Sequence, residues 1–115
     1  MKILHTADWH LGTFRSPVKD GVNLRTEDTK RCLDELIRVA NEEKPDYSLV
    51  SGDIFHVGRL WSDRCCEEII TAIHYIRELA AVSKQVVVMR GTPNHDGSGQ
   101  FNVLSEMFAD VPNVH

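Results

Sequence analysis

Three short apolar runs, KILHT at residues 2–6, DYSLVS at 46–51 and QVVVM at 85–89, alternate with long stretches of helical periodicity. From Thr26, an N-cap candidate, Cys32, Leu33, Leu36, Ile37, Val39 and Ala40 recur on one helical face until Pro45 stops the pattern. Behind Ser62, a second cap candidate, Ile69, Ile70, Ile73, Ile76, Leu79 and Ala80 mark the buried side of another helix, and FNVLSEMF begins a third. Short continuous strands cannot pair in parallel without such crossovers. The order therefore specifies an α/β chain, a mainly parallel sheet with helices on both faces. Residues from Trp9 to about Arg25 contain Gly12, Pro17 and Gly21 and read as a long loop. The final VPNVH opens like a fourth strand, so residues 1–115 read as the N-terminal part of a longer domain.

The chemistry collects at the ends of the strands. In open α/β sheets, ligands bind beyond the carboxyl ends of the strands. The first run delivers Asp8 and His10, two apart, whose side chains share a direction if the backbone stays extended. Asp53 and His56 follow the second, and Asn94, His95 and Asp96 follow the third. Each pair alone is an ordinary strand exit or turn. Recurring at three successive strand ends, they describe one cleft of carboxylate, imidazole and amide donors, suited to Mn²⁺, Fe or Zn²⁺. A carboxylate on the central strand can bridge two ions ~3.5–4 Å apart, which selects Asp53.

Composition narrows the class. At 42% hydrophobic and 26% charged residues the chain is of globular type, and its formal net charge of −4 does not advertise nucleic-acid binding. Bound cations would dominate the field at the site regardless. Cys32, Cys65 and Cys66 are odd in number and form no CxxC spacing, which indicates reduced thiols and a cytoplasmic setting. No apolar run approaches membrane-spanning length, so no membrane partner is expected.

These residues resemble the calcineurin-like metallophosphoesterase pattern D-x-H … G-D … N-H-(D/E). More narrowly, ILHTADWHLG, SGDIFH and PNHD are similar to the SbcD nuclease family, with the likeness covering essentially the whole chain. The resemblance implies phosphodiester hydrolysis of DNA with two divalent metal ions, Mn²⁺ being the expected one. It implies that Asp8 and His10 hold one metal, that Asp53 bridges, and that Asn94 holds the second. His95 is implied as general acid or transition-state stabiliser, and His56 as its helper or a guide for the strand. Asp96 fits loop orientation better than metal binding. Implied partners are DNA, an SbcC-like SMC-family ATPase, and a second copy joined through helices near 62–82 and 100–108.

The chain departs from that pattern in two places. The compact Gly-Asn-His-Asp motif is opened to Gly91-Thr92-Pro93-Asn94-His95-Asp96. The family's later ligands, a further His and a Gly-His-x-His block, do not occur in this sequence, which leaves half a dinuclear site and a weak or inactive isolated chain. Other residues have plainer readings. His5 packs or hydrogen-bonds locally, His74 lies on a helix surface, and Trp9 and Trp61 pack over the motif loops. Arg15, Arg25, Arg59 and Arg64 are solvated charges or phosphate contacts. Protein phosphatases, which carry Asp-Arg-Gly after Gly-Asp, fit GDIFHVGR poorly. Another metallophosphoesterase, a phosphatase or a small phosphodiesterase, or a non-catalytic module for dimerisation or ATPase docking stands as the alternative.

Overall fold

The computed structural model describes residues 1–12, 17–58 and 63–115, with the backbone alone at 63–66. Arg15, Arg59, Trp61 and Ser62 lie outside the described residues, as do the side chains of Arg64, Cys65 and Cys66. The strands that form the sheet are β1 (Ile3–Thr6), β4 (Tyr47–Ser51) and β5 (Gln85–Met89). They pair in parallel in the order β1-β4-β5, with Ile3 opposite Tyr47 and Tyr47 opposite Gln85. Asp53 therefore leaves the central strand. Beyond β5, Val88 donates to the His115 carbonyl and His115 to that of Val86 (both 2.8 Å), so VPNVH does begin to pair in parallel.

Between β1 and the first helix, residues read as loop hold a small hairpin, β2 (Val18–Lys19) and β3 (Val22–Asn23). Its turn is Asp20-Gly21, both at positive φ, the geometry that lets a two-residue loop match strand twist. Helix α1 runs Leu24–Glu43. Its cap is Asn23 rather than Thr26: the Asn23 Oδ1 accepts from the backbone N–H of Arg25 (3.0 Å) and Thr26 (3.2 Å). Lys44 closes it in the left-handed conformation, ahead of Pro45. Helix α2 spans Asp63–Val82 and α3 spans Ser98–Met107.

Alternation along the strands sorts the core. Leu4, Ser48, Val50, Val86 and Val88 share one face of the sheet, and on it pack Leu33, Ile37 and Ala40 of α1, Ile69, Ile76 and Leu79 of α2, and Leu104 of α3. The opposite face carries Ile3, His5, Tyr47, Leu49, Val87 and Met89, all exposed or half-buried. The parallel α/β architecture is thus present, with the helices of the described residues gathered on a single side of the sheet. Two positions assigned to helix interiors by periodicity turn outward: Cys32 is exposed, and Ile70 is 65% exposed. On α2 the inward positions include Ala72 and Tyr75 instead. The Tyr75 hydroxyl donates to Asp34 Oδ1 at 2.7 Å and ties α2 to α1.

Candidate metal centre

The exits of β1 and β4 run side by side past the ends of the sheet. Asp8 N–H donates to Gly52 O (3.0 Å), His10 N–H to Asp53 O (3.0 Å) and Leu11 N–H to Ile54 O (2.8 Å). The backbone here is not extended: Asp8, His10 and Asp53 all sit at positive φ, at 56°, 47° and 49°. Asp and His tolerate this region better than most residues, yet each such position carries a conformational cost. Asp8 and His10 meet because of this left-handed backbone, not through the alternation of a strand. His10 Nε2 lies 3.7 Å from Asp8 Oδ1 and 4.0 Å from Asp53 Oδ2.

The third corner is the loop after β5, held tightly against the β4 exit. Asp96 is fully buried and accepts from Phe55 N–H (3.0 Å) with one oxygen and from Gly91 N–H (2.7 Å) with the other. Its role as a loop brace rather than a ligand agrees with these bonds. Gly58 N–H donates to Asn94 O at 3.0 Å, and His95 Nδ1 lies 2.6 Å from His56 O. A carbonyl only accepts, so Nδ1 carries the proton and Nε2 the lone pair in neutral His95. Gln100, buried in the first turn of α3, donates to Val57 O at 3.0 Å and accepts from Gly97 N–H at 3.2 Å, clamping the same two loops. Gly91 passes so close to Asp53 that a Cβ there would overlap its backbone nitrogen and Oδ1, so no larger residue fits.

Thr92 is the residue that sequence reasoning missed. It is one of the two residues that open the Asn-His motif, and it donates both its backbone N–H (2.8 Å) and its hydroxyl (3.1 Å) to Asp53 Oδ1. The Thr92 N–H, opposed by partial burial and helped by the hydroxyl and by His95 and His10, holds the Asp53 carboxyl below its ordinary value. The signal was a Thr immediately after the glycine that approaches the Gly-Asp turn, a position where a donor pair can reach the carboxylate. His56 is shifted below the usual imidazole value, chiefly by burial and then by the charges of His10, His95 and Arg25.

Two groups of donors converge. Asp8, His10 and Asp53 offer ligand atoms within 4.8 Å of one another, and so do His10, His56 and His95. The His10 and His95 rings meet edge to face at 4.5 Å between centroids. Asn94 is exposed, and among the described residues no hydrogen bond joins its amide to either group. An ionised Asp53, a second carboxylate and an imidazole form a mixed oxygen–nitrogen set that fits a divalent cation. His5 is bonded to Ser51 Oγ at 2.7 Å, Trp9 is buried with its Nε1–H on Thr6 Oγ1 (2.8 Å), and His74 is exposed. Neither histidine belongs to a donor group, and Trp9 packs between Asp8 and His10 in the wall of the cleft that they line.

A parallel sheet whose strand ends gather carboxylates and histidines in this way builds a site suited to divalent metal ions. A family model described as calcineurin-like phosphoesterase matches residues 1–114, and the chain belongs to that family, which uses divalent metals to hydrolyse phosphate esters. Among curated relatives it is similar to the D-subunit of the SbcCD nuclease of Staphylococcus epidermidis, at 30% identity over 108 residues, 94% of this chain and 26% of the relative. The corresponding protein of Staphylococcus saprophyticus is 31% identical over the same shares. The chain thus spans about a quarter of the length of these relatives. Among the described residues no helix is long and apolar enough to cross a membrane.

Proposed function

We propose that this chain carries the first half of the catalytic centre of a cytoplasmic, Mn²⁺-dependent DNA nuclease, residues 1–115 being the N-terminal part of its phosphoesterase domain. The observation that carries this reading is the convergence of Asp8, His10 and Asp53 within 4.8 Å at the ends of adjacent strands, with His95 across from His10. Asp8, His10 and Asp53 would hold one cation, and Asp53 with Asn94 from the neighbouring loop would supply this half of the ligands for a second. Bound cations supply charge that polarises the phosphoryl oxygens and offsets the negative charge developing on them. Thr92 holds Asp53 in place for this work through two donors to one oxygen. His95, oriented by the His56 carbonyl, donates a proton to the leaving oxygen from Nε2, which it can do only as the imidazolium. His56 assists by fixing that orientation.

An open cleft of about 710 Å³ between α1 and the end of β1 has Asp8 and His10 on one wall and Arg25 and Thr29 on another. It offers a route for a phosphate backbone, with Arg25 as a contact. Exposed apolar residues on the expected dimer helices, Ile70 on α2 and Val103 and Met107 on α3, support pairing with a second copy. The relatives are named as one component of a larger nuclease, which supports an assembly with an SbcC-like ATPase.

The test is Mn²⁺-dependent release of nucleotides from linear duplex DNA, beside a His95→Ala control. Weak activity abolished by that change supports the nuclease. Absence of cutting in both forms, with self-association or ATPase binding retained, supports a non-catalytic module instead. Calorimetry supplies the second check: one tightly held Mn²⁺ per chain is expected, and two would refute the half-site.

A further inference from the structure

We propose that His10, His56 and His95 form a second, nitrogen-only metal site that overlaps the mixed site at His10 and prefers Zn²⁺ and its late first-row neighbours to Mn²⁺. One ring nitrogen of each lies within 4.8 Å of those of the other two. The ring centroids are 4.5, 5.8 and 6.0 Å apart. Imidazole donors at ~2.1 Å from a tetrahedral zinc stand about 3.4 Å from one another, so side-chain rotation alone closes the set. Three histidines with one coordination position left open is the arrangement that suits zinc. The carbonyl of His56 accepts from His95 Nδ1, the outer bond that fixes the tautomer and ring orientation of a metal-bound histidine.

The two sets differ in hardness. Asp8, His10 and Asp53 present two carboxylates and one imidazole, whereas the second set has no oxygen donor. Imidazoles favour Zn²⁺, Ni²⁺ and Cu²⁺, and intrinsic affinity rises from Mn²⁺ to Cu²⁺ across the series. Because both sets need His10, an ion in one weakens the other. An ion in the three-histidine site also occupies His95. That consequence for hydrolysis rests on the nuclease reading, but the binding itself does not.

The experiment measures metal affinity on the chelator-treated 115-residue chain. Zn²⁺ is followed by calorimetry, Co²⁺ by its visible absorption as a tetrahedral probe, and Mn²⁺ by electron paramagnetic resonance. His56→Gln and His95→Gln are each expected to weaken Zn²⁺ and Co²⁺ by more than about 10-fold while leaving Mn²⁺ within about 3-fold. Asp8→Asn is expected to do the reverse, and His10→Gln to weaken all three ions. Thermal melts confirm that each variant is folded, and either histidine variant alone is sufficient for the test. Zn²⁺ affinity that follows Asp8, or that ignores both His56 and His95, overturns the proposal, whether or not the chain cuts DNA.

Discussion

Thr92 fixes the orientation of the carboxylate at the centre of the site. Its hydroxyl adds a second donor to Asp53 Oδ1, so Thr92→Val keeps the backbone bond and removes one donor. Mn²⁺ affinity is expected to fall by about 3- to 10-fold, the worth of one hydrogen bond, as read by calorimetry. His56 gives a pH signature. Its folded value lies below 6.5, so unfolded chains bind its proton first. The stability it contributes is complete above 6.5 and drains as pH falls from there through the lowered folded value. Imidazole resonances of the chelator-treated chain, followed by NMR, are expected to place the His56 midpoint below 6.5. That these donors would lie near one another was legible from their recurrence at three strand ends, since Asp8, His10, Asp53 and His95 do gather. The manner was not. Extended backbone was expected at Asp8 and His10, and the left-handed turns found there instead are imposed by hydrogen bonds to Gly52 and Asp53, far away in sequence.

The secondary-structure elements show where local signals prevail and where packing overrides them. All three strands of the sheet fall where the short β-branched and apolar runs stand, because the face that the helices cover must be largely apolar. The hairpin carried an Asp-Gly signal at residues 20–21, but its strands are two residues each, too short for any alternation to register. Asn23, at the end of that hairpin, captures the start of α1 three residues ahead of Thr26. Asn23→Ala is expected to cost about 1 kcal/mol of stability in urea unfolding, whereas Thr26→Ala costs less. Ile70 fits the apolar period of α2 but faces solvent, because Ala72, Tyr75 and Leu79 fill the seam toward α1 and the sheet. Periodicity identifies a stripe about a hundred degrees wide; it does not say which of two neighbouring residues lies nearer its centre.

At the scale of the molecule, the sheet has a covered face and an open one. Ile3 is 57% exposed and Met89 46%, which is an uncommon setting for apolar residues on a parallel sheet. Ile3→Lys and Met89→Lys are each expected to change stability by less than about 0.5 kcal/mol and to reduce binding of a hydrophobic dye. Ile76, wholly buried between the helices and the covered face, gives the contrast: Ile76→Ala would cost about 2–5 kcal/mol. Sequence pattern does not separate the two faces, since Val86 and Val87 are chemically alike and only the pleat sends them to opposite sides. The carboxylate of Asp96 has a reach beyond its own loop. The amides of Phe55 and Gly91 are locked by its two oxygens, so neither can trade hydrogen for deuterium until that latch opens. The two amides are expected to exchange at nearly the same rate despite lying on separate loops, and an Asp96→Ala chain, which lacks both acceptor oxygens, should release both together.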